Sequence, residues 1–246
     1  MTDQQHRHLV LVARFPSPGT CKTRLIPRLG EEGACAFSLA ALTDMLHLFA
    51  TIPVHKTLLY TPITAGPAVA SFLETESLQS SWEIQPQVPA ADLGRRLRAA
   101  LEHVQGLTPN NEWSSGSVTF VGMDCFDLCS SRIQQSMSLV FPTQAHMLPA
   151  RDGGYVLLTV PLGSNGTVFD RIAWSCDRTA SLQIIRLAEA GVSCLLGEML
   201  DDVDNPEDLE RLWKARKHKL NQYPRTIKYL ETVMKCGTEK HGSHTS

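Results

Sequence analysis

Blocks of like charge are absent from this sequence of 246 residues. Its 23 basic and 25 acidic side chains are interspersed and leave a formal net charge of −2. Without a long basic stretch, the chain has no sequence-wide electrostatic reason to bind nucleic acid or an anionic membrane. We therefore expect neither partner, and any anion-binding site must be local.

Long apolar runs and export signals are also lacking. No stretch approaches the roughly 20 apolar residues of a membrane span, and the amino terminus, MTDQQHRHL, lacks the basic and apolar parts of a secretion signal. We expect a cytoplasmic protein without a membrane span. In that reducing setting the seven cysteines should be thiols, and Cys125 and Cys129 lack the second pair that a structural zinc site would need.

The sequence does contain apolar segments that alternate with amphipathic ones. The apolar segments predict strands at HLVLVA, KTLLYT, SVTFVGMD, GYVLLTV and VSCLL. The amphipathic segments predict helices at EEGACAFSLAALTDMLHLF, LGRRLRAALEHV, TASLQIIRLAEAG and NPEDLERLWKAR, the last one capped by Asn205. The first strand is apolar almost throughout, as in parallel sheets covered on both faces. We predict one α/β domain with a mostly parallel sheet over residues 1–236, and a disordered tail over residues 237–246.

A basic turn follows the first strand, within ARFPSPGTCKTRLIPRLG. The carboxyl end of a strand in a parallel sheet is where α/β proteins usually bind ligands. A Pro-Gly turn at Gly19 exposes backbone N–H groups, and the charges of Lys22 and Arg24 could hold a diphosphate. The turn is not a phosphate loop of the GxxxxGK[ST] type, because Pro16 and Cys21 occupy the two glycine positions. The alternative is a basic turn that simply faces solvent.

The predicted strand SVTFVGMD ends in an aspartate, and a second aspartate follows it, on the edge of the sheet where we place the basic turn. Asp124 ends the strand, and a carboxylate there suits Mg²⁺ or Mn²⁺, which takes few protein carboxylates and completes its shell with phosphate and water. Asp127 comes three residues later, and we expect it to cap the following helix instead.

Further acidic residues stand in LDDVDNPEDL and ARDGGYVLL. Acidic residues before a helix often only complement its dipole, but Asp202 or Asp204 could also complete a cation site begun by Asp124. The offsets of an EF-hand calcium loop are not met. Asp152 lies on a turn whose two glycines permit close approach of the backbone to a ligand.

The order of these motifs resembles the GT-A-like glycosyltransferase and nucleotidyltransferase superfamily, and within it a branch known as arsenosugar biosynthesis-type glycosyltransferases. The resemblance spans nearly the whole chain and rests on ARFPSPGTCKTRL, ADLGRRL, GMDCFDL, ARDGGYVLL, IAWS and DDVDNPEDL. It implies a Rossmann-like GT-A domain that binds a nucleotide sugar or a nucleoside triphosphate together with Mg²⁺ or Mn²⁺. The superfamily usually has threonine and proline where this chain has Met123 and Phe126.

The resemblance also implies roles for particular residues. The nucleotide and its phosphates would be bound by Arg14, Gly19, Lys22, Thr23, Arg24, Asp92 and Arg96. The metal would be held by Asp124 with Asp202 or Asp204, and a small-molecule acceptor would lie against Gly153, Gly154, Tyr155, Trp174 and Ser175. Lys22 and Asp152 would be the catalytic pair, Lys22 toward the departing diphosphate and Asp152 toward the acceptor hydroxyl.

Three functions stay open from the sequence. The leading one is glycosyl transfer from a nucleoside diphosphate sugar. The second is nucleotidyl transfer, in which a phosphorylated acceptor attacks a nucleoside triphosphate and pyrophosphate leaves. Enzymes of that kind commonly carry a Gly-rich first turn, whereas this chain has only Gly19 there, which favours glycosyl transfer. The third is a non-catalytic nucleotide-binding protein, and the departures from the superfamily's usual residues at Met123 and Phe126 support this hypothesis.

Overall fold

The computed structural model describes residues 6–90, 92–109, 113, 115–219 and 221–236. Among these residues, one seven-stranded sheet has the order β3-β2-β1-β4-β6-β5-β7. The strands are β1 Arg7–Arg14, β2 His55–Thr61, β3 Glu83–Pro86, β4 Ser117–Val121, β5 Gln144–Pro149, β6 Tyr155–Pro161 and β7 Ser193–Leu196. β6 pairs antiparallel with both β4 and β5, and the remaining pairs are parallel. The predicted mostly parallel sheet is confirmed, with β6 as its one reversed strand.

Helices cover both faces of this sheet. The helices in the described part of the chain are α1 Ile26–Ala50, α2 Gly66–Thr75, α3 Leu93–Leu107, α4 Ser130–Ser138, α5 Thr179–Glu189, α6 Pro206–Lys219 and α7 Pro224–Cys236. Successive residues of β1 alternate between the two layers, since Leu9 and Leu11 pack on the side of α1 whereas Val10 packs on the side of α3. This double burial is why the sequence of β1 is apolar almost throughout.

Helix α1 is the central helix of the first layer. Gly30 has φ +74° and ψ 169° and interrupts the helical backbone, so regular helix begins at Glu31, where the sequence predicts it. By length and composition alone, the stretch Thr23–Ala50 could cross a membrane, which the sequence analysis did not anticipate. More than half of its most apolar window is buried inside the protein, so its apolar residues serve as core.

Several elements were not predicted. These are strands β3 and β5 and helices α2 and α7. The predicted helix at Pro206 is confirmed together with its cap, since Asn205 Oδ1 accepts a hydrogen bond from Asp208 N at 3.0 Å. The tail predicted to be disordered, residues 237–246, lies outside the described residues.

Candidate active site

The carboxyl ends of β1 and β4 open into a cleft of about 730 Å³. Its walls come from the turn after β1, the end of β4, the start of β6 and the segment between Trp174 and Thr179. Asp204, just before α6, also lines the cleft. The prediction that the basic turn and Asp124 share one edge of the sheet is therefore confirmed.

Lys22 lies between two carboxylates. Its Nζ atom is 2.7 Å from Asp124 Oδ1 and 2.8 Å from Asp204 Oδ1, and it donates a hydrogen bond to the Val203 carbonyl at 2.5 Å. The Lys22 side chain is only 10% exposed, whereas those of Asp124 and Asp204 are 38% and 39% exposed. The lysine is thus an internal counter-ion as well as a candidate phosphate ligand.

The ion pairs set the protonation states of this cluster. Burial alone would lower the pKa of Lys22, but the charges of Asp124 and Asp204 outweigh it and the pKa is raised. Burial alone would raise the pKa of Asp204, but the charge of Lys22 outweighs it and the pKa is lowered. Lys22 and Asp204 are therefore both charged at neutral pH, since opposite charges at this distance favour the ionised forms.

The chain reaches this geometry through local backbone features. Lys22 has φ 45° and ψ 46° and precedes a short 3-10 helix, so the turn projects its side chain toward the end of β4. On the opposite wall, Val203 N donates to the Asp124 carbonyl at 3.0 Å. The Asp208 carboxylate accepts from the backbone N–H groups of Asp204 and Asn205 at 2.9 and 3.1 Å. The reciprocal cap of α6 thus also fixes the backbone of Asp204.

Asp202 and Asp127 do not line the cleft, although Asp202 is close enough to Asp152, Asp204 and Asp124 for their charges to act on it. Both border a separate small cavity of about 120 Å³, which Val203 also lines. Burial, reinforced by the negative charges of Asp152 and Asp204, raises the pKa of Asp202 to about 6. The prediction that Asp127 caps the following helix is wrong, because Cys129 takes the N-cap position of α4.

The other residues of the basic turn surround Lys22 more loosely. Arg14, at the end of β1, and Thr23 are exposed and line the cleft. Arg24 is 71% exposed and its Nη1 atom is 3.7 Å from Asp204 Oδ2. Gly19 has φ +73° and shapes the turn, but it is not among the residues that line the cleft.

Asp92 and Arg96 hold the backbone beside the cleft rather than facing it. Asp92 Oδ1 accepts from Arg95 N at 3.0 Å and caps α3. The Arg96 guanidinium donates to the Ala90 carbonyl at 2.9 and 3.2 Å and to Gln87 Oε1 at 3.2 Å. Neither side chain lines the cleft.

The turn before β6 brings Asp152 into the cleft. Asp152 Oδ1 accepts from Gly154 N at 2.8 Å, which fixes the direction of the carboxylate. Gly153 has φ +89°, and a Cβ atom there would lie 2.1 Å from the Asp177 carbonyl oxygen. Only glycine therefore fits where this turn packs against the segment before α5.

Aromatic and apolar side chains line the same half of the cleft. Tyr155 and Trp174 pack edge to face with ring centroids 6.4 Å apart. The Tyr155 hydroxyl donates to Gln183 Oε1 at 3.1 Å, and Ser175 is exposed at the rim with φ 58°. Sequence reasoning missed other lining residues, among them Thr20, Leu93, Leu97, Cys176 and Thr179. Leu93 and Leu97 have the ordinary pattern of an amphipathic helix, so their positions carry no signal that separates cleft from core.

The two departures from the superfamily's usual residues lie in the core. Phe126 is 3% exposed and packs against the rings of Phe37 and Tyr223, with centroid distances of 5.9 and 5.1 Å. Met123 is 8% exposed and lines the cleft beside Asp124. Phe126 therefore supports the segment after β4 from below without entering the cleft.

The donor set near Lys22 fits a hard divalent cation. Asp124 and Asp204 present carboxylate oxygens at the cleft, and the buried Asp124 Oδ1 has the Lys22 ammonium 2.7 Å away. Among the described residues, no group of three or more histidine, cysteine, aspartate or glutamate side chains is arranged to hold a metal. Mg²⁺, however, is commonly held by one or two carboxylates together with substrate phosphates, so two are enough.

Solved structures of low sequence identity share this fold. A "putative nucleotide-diphospho-sugar transferase" from Desulfovibrio desulfuricans G20 has a TM-score of 0.79 at 20% identity, with 94% of this chain and 98% of that chain covered. A nucleotidyl transferase from Methanothermobacter thermautotrophicus has a TM-score of 0.56 at 13% identity, covering 87% and 98%. The 4-diphosphocytidyl-2C-methyl-D-erythritol synthase from Anaerococcus prevotii has a TM-score of 0.58 at 10% identity, covering 88% and 98%. The chain therefore has the GT-A-like fold of nucleotide-sugar and nucleotidyl transferases.

A family model gives the narrower placement. Residues 45–176 match the family described as "Uncharacterized protein conserved in bacteria (DUF2064)", and the chain belongs to this family. No protein with curated annotation matches the chain.

Proposed function

We propose that the protein is a metal-dependent glycosyltransferase that uses a nucleoside diphosphate sugar as donor. The observation that carries this proposal is the meeting of Lys22 with Asp124 and Asp204 in a cleft at the carboxyl edge of the sheet. That edge is where α/β sheets bind nucleotides. A basic turn next to carboxylates supplies both the phosphate ligands and the cation ligands that such a donor requires.

The described residues suggest a division of labour in the cleft. Lys22 and Arg24 would bind the diphosphate and neutralise its charge as it departs. A Mg²⁺ or Mn²⁺ ion, held by Asp124 and Asp204, would supply further charge neutralisation at the same phosphates. Asp152, directed by the Gly154 N–H, would orient the acceptor hydroxyl and take its proton.

The acceptor would be a small molecule bound in the opposite half of the cleft. The cleft is lined there by Asp152, Gly154, Tyr155, Trp174 and Ser175. An aromatic wall beside a carboxylate suits a ligand with an apolar face and a hydroxyl group, such as a sugar ring.

Nucleotidyl transfer is the second candidate, and the Methanothermobacter and Anaerococcus structures of the same fold favour it. In that reaction a phosphate of the second substrate would attack the α-phosphate of a nucleoside triphosphate. The same Lys22 and carboxylate pair would then face the triphosphate. A non-catalytic nucleotide-binding protein is the third candidate, and it differs from both in lacking turnover.

One assay separates the three candidates. Purified protein is incubated with a panel of nucleotide sugars and nucleoside triphosphates, each with and without Mn²⁺, and the released nucleotide is quantified. Release of a nucleoside diphosphate that needs Mn²⁺ supports glycosyl transfer, and release of pyrophosphate supports nucleotidyl transfer. Tight binding of a nucleotide without release of either product supports the non-catalytic alternative.

A pair of variants tests the site directly. Asp124→Asn keeps the shape of the side chain but removes a charge that would offset the cation, so affinity for UDP or GDP in Mn²⁺ should fall at least about tenfold. Asp127→Asn is the matched control, because Asp127 borders the separate small cavity, and it should leave that affinity unchanged. Calorimetric titration at several Mn²⁺ concentrations measures both. If Asp124→Asn keeps the metal dependence of the parent protein, the proposed cation site is wrong.

A further inference from the structure

Three oxygen atoms surround the Lys22 ammonium. They are the Val203 carbonyl oxygen at 2.5 Å, Asp124 Oδ1 at 2.7 Å and Asp204 Oδ1 at 2.8 Å. An ammonium group has three N–H donors, so it faces one oxygen per donor. The long stem of Lys22 is buried, with 10% of the side chain exposed.

The same oxygens are suitable ligands for a hard divalent cation. Mg²⁺ and Mn²⁺ prefer carboxylate and backbone carbonyl oxygens. An ammonium group and a divalent cation cannot both bind one set of oxygens. Each must lie within bonding distance of the same atoms, so they would occupy the same space, and their positive charges repel. The position of Lys22 Nζ is therefore the position that a cation would need.

The location of Lys22 also offers it a second set of partners. It stands in the turn after β1, beside Thr20, Thr23 and Arg24, where phosphate groups would enter the cleft. Phosphate oxygens could accept its hydrogen bonds in place of the carboxylates, so the ammonium would not be left buried without a counter-charge. Movement of the lysine side chain alone would complete this exchange.

We propose that Lys22 and the divalent cation compete for Asp124, Asp204 and the Val203 carbonyl, so that the cation binds only when phosphate groups draw Lys22 away. This inference rests on the proposed function, because it presupposes a phosphate-bearing substrate. It goes further because it assigns an order of binding. The nucleotide binds before the cation or together with it, and the protein without nucleotide binds the cation weakly. Lys22 thereby prevents tight binding of the cation until a phosphate-bearing substrate is present.

The test is a titration of Mn²⁺ without any nucleotide, in which electron paramagnetic resonance measures the free ion. Lys22→Met removes the competing charge and keeps an unbranched side chain, so the affinity for Mn²⁺ should rise by about tenfold or more, equivalent to about 1.4 kcal/mol. Arg24→Met is the matched control, because it removes one positive charge 3.7 Å from Asp204 without touching the shared oxygens. It should raise the affinity by less than about threefold, equivalent to about 0.6 kcal/mol.

A double variant identifies the ligands of the gained site. Adding Asp124→Asn to Lys22→Met should abolish the gain, because one of the shared oxygens then loses its charge. The competition is overturned if Lys22→Met binds Mn²⁺ no tighter than the parent protein, or if Arg24→Met gains as much. Persistence of the gain in the double variant also overturns it, because the ion then binds elsewhere.

Removal of Lys22 also leaves two carboxylates without their counter-ion, which could prevent folding. Folding of the Lys22→Met variant with and without Mn²⁺ is therefore a second measurement. If Lys22→Met fails to fold, refolding in Mn²⁺ should rescue it, and failure of that rescue contradicts the proposal. Calorimetric titration of the parent protein with UDP and GDP in Mn²⁺ separates this inference from the proposed function. Binding there without any gain in Lys22→Met refutes only the competition, whereas absence of binding refutes the proposed function.

Discussion

The close contact at Gly153 offers a test of how the acceptor half of the cleft is held together. Gly153→Ala would place a Cβ atom 2.1 Å from the Asp177 carbonyl oxygen on a backbone with φ +89°. The left-handed backbone costs an ordinary residue about 1–2 kcal/mol, and overpacking against backbone adds about 1–3 kcal/mol. We therefore expect the free energy of unfolding to fall by about 2–5 kcal/mol.

Urea denaturation of the variant and of a matched control measures this loss. Gly191→Ala is the control, because Gly191 has φ +76° but nothing lies within 4 Å of its added Cβ atom. It should lose only the backbone component, about 1–2 kcal/mol. The difference between the two variants reports the steric contact alone. If Gly153→Ala is no less stable than Gly191→Ala, the turn and the segment before α5 are not packed as described.

Two further predictions concern the core. Burial, reinforced by neighbouring cationic groups, lowers the pKa of His8 to about 3, so the unfolded chain binds a proton below about pH 6.5 that the folded protein does not. Stability should fall by about 2 kcal/mol between pH 7 and pH 5 through this residue. The variant His8→Gln can keep the hydrogen bond to Thr57 but has no imidazole to protonate, so it should lose about 2 kcal/mol less stability than the parent protein between pH 7 and pH 5. Urea denaturation measures this, and an unchanged pH dependence of stability would contradict the prediction. Phe126→Ala should cost about 3–5 kcal/mol because its ring packs on Phe37 and Tyr223. Calorimetry should show unchanged UDP affinity, and a change in affinity without loss of stability would place the ring in the cleft.

Much of the fold could be predicted from the sequence because its central elements have strong patterns. β1 is apolar almost throughout, β4 is buried on both faces, and α3 and α5 alternate apolar and polar residues at helical spacing. The missed strands have weaker patterns for physical reasons. β3 is a four-residue edge strand that ends in proline, and β5 carries His146, whose polarity is satisfied by Ser136 at 2.8 Å.

The candidate site could be predicted in outline but not in its contacts. Lys22 and Asp124 follow parallel strands, and the rule that such strands end at one edge is enough to bring them together. Nothing in the sequence indicates that Lys22 pairs directly with Asp124 and Asp204, or that the Val203 carbonyl joins them. Asp92 shows a different case, because the resemblance placed it at the nucleotide, whereas aspartate directly before a helix is a common N-cap residue and caps α3 here.

The contacts of Lys22 join parts of the chain that are 181 and 182 residues apart in sequence. During synthesis on the ribosome, the basic turn emerges long before the segment that carries Val203 and Asp204. A nascent chain can therefore pair β1 with β2 and β4 while Lys22 still lacks one of its two carboxylates. The cleft acquires its charge balance only when the last helices dock, so a truncated product would retain much of the sheet but not the finished site.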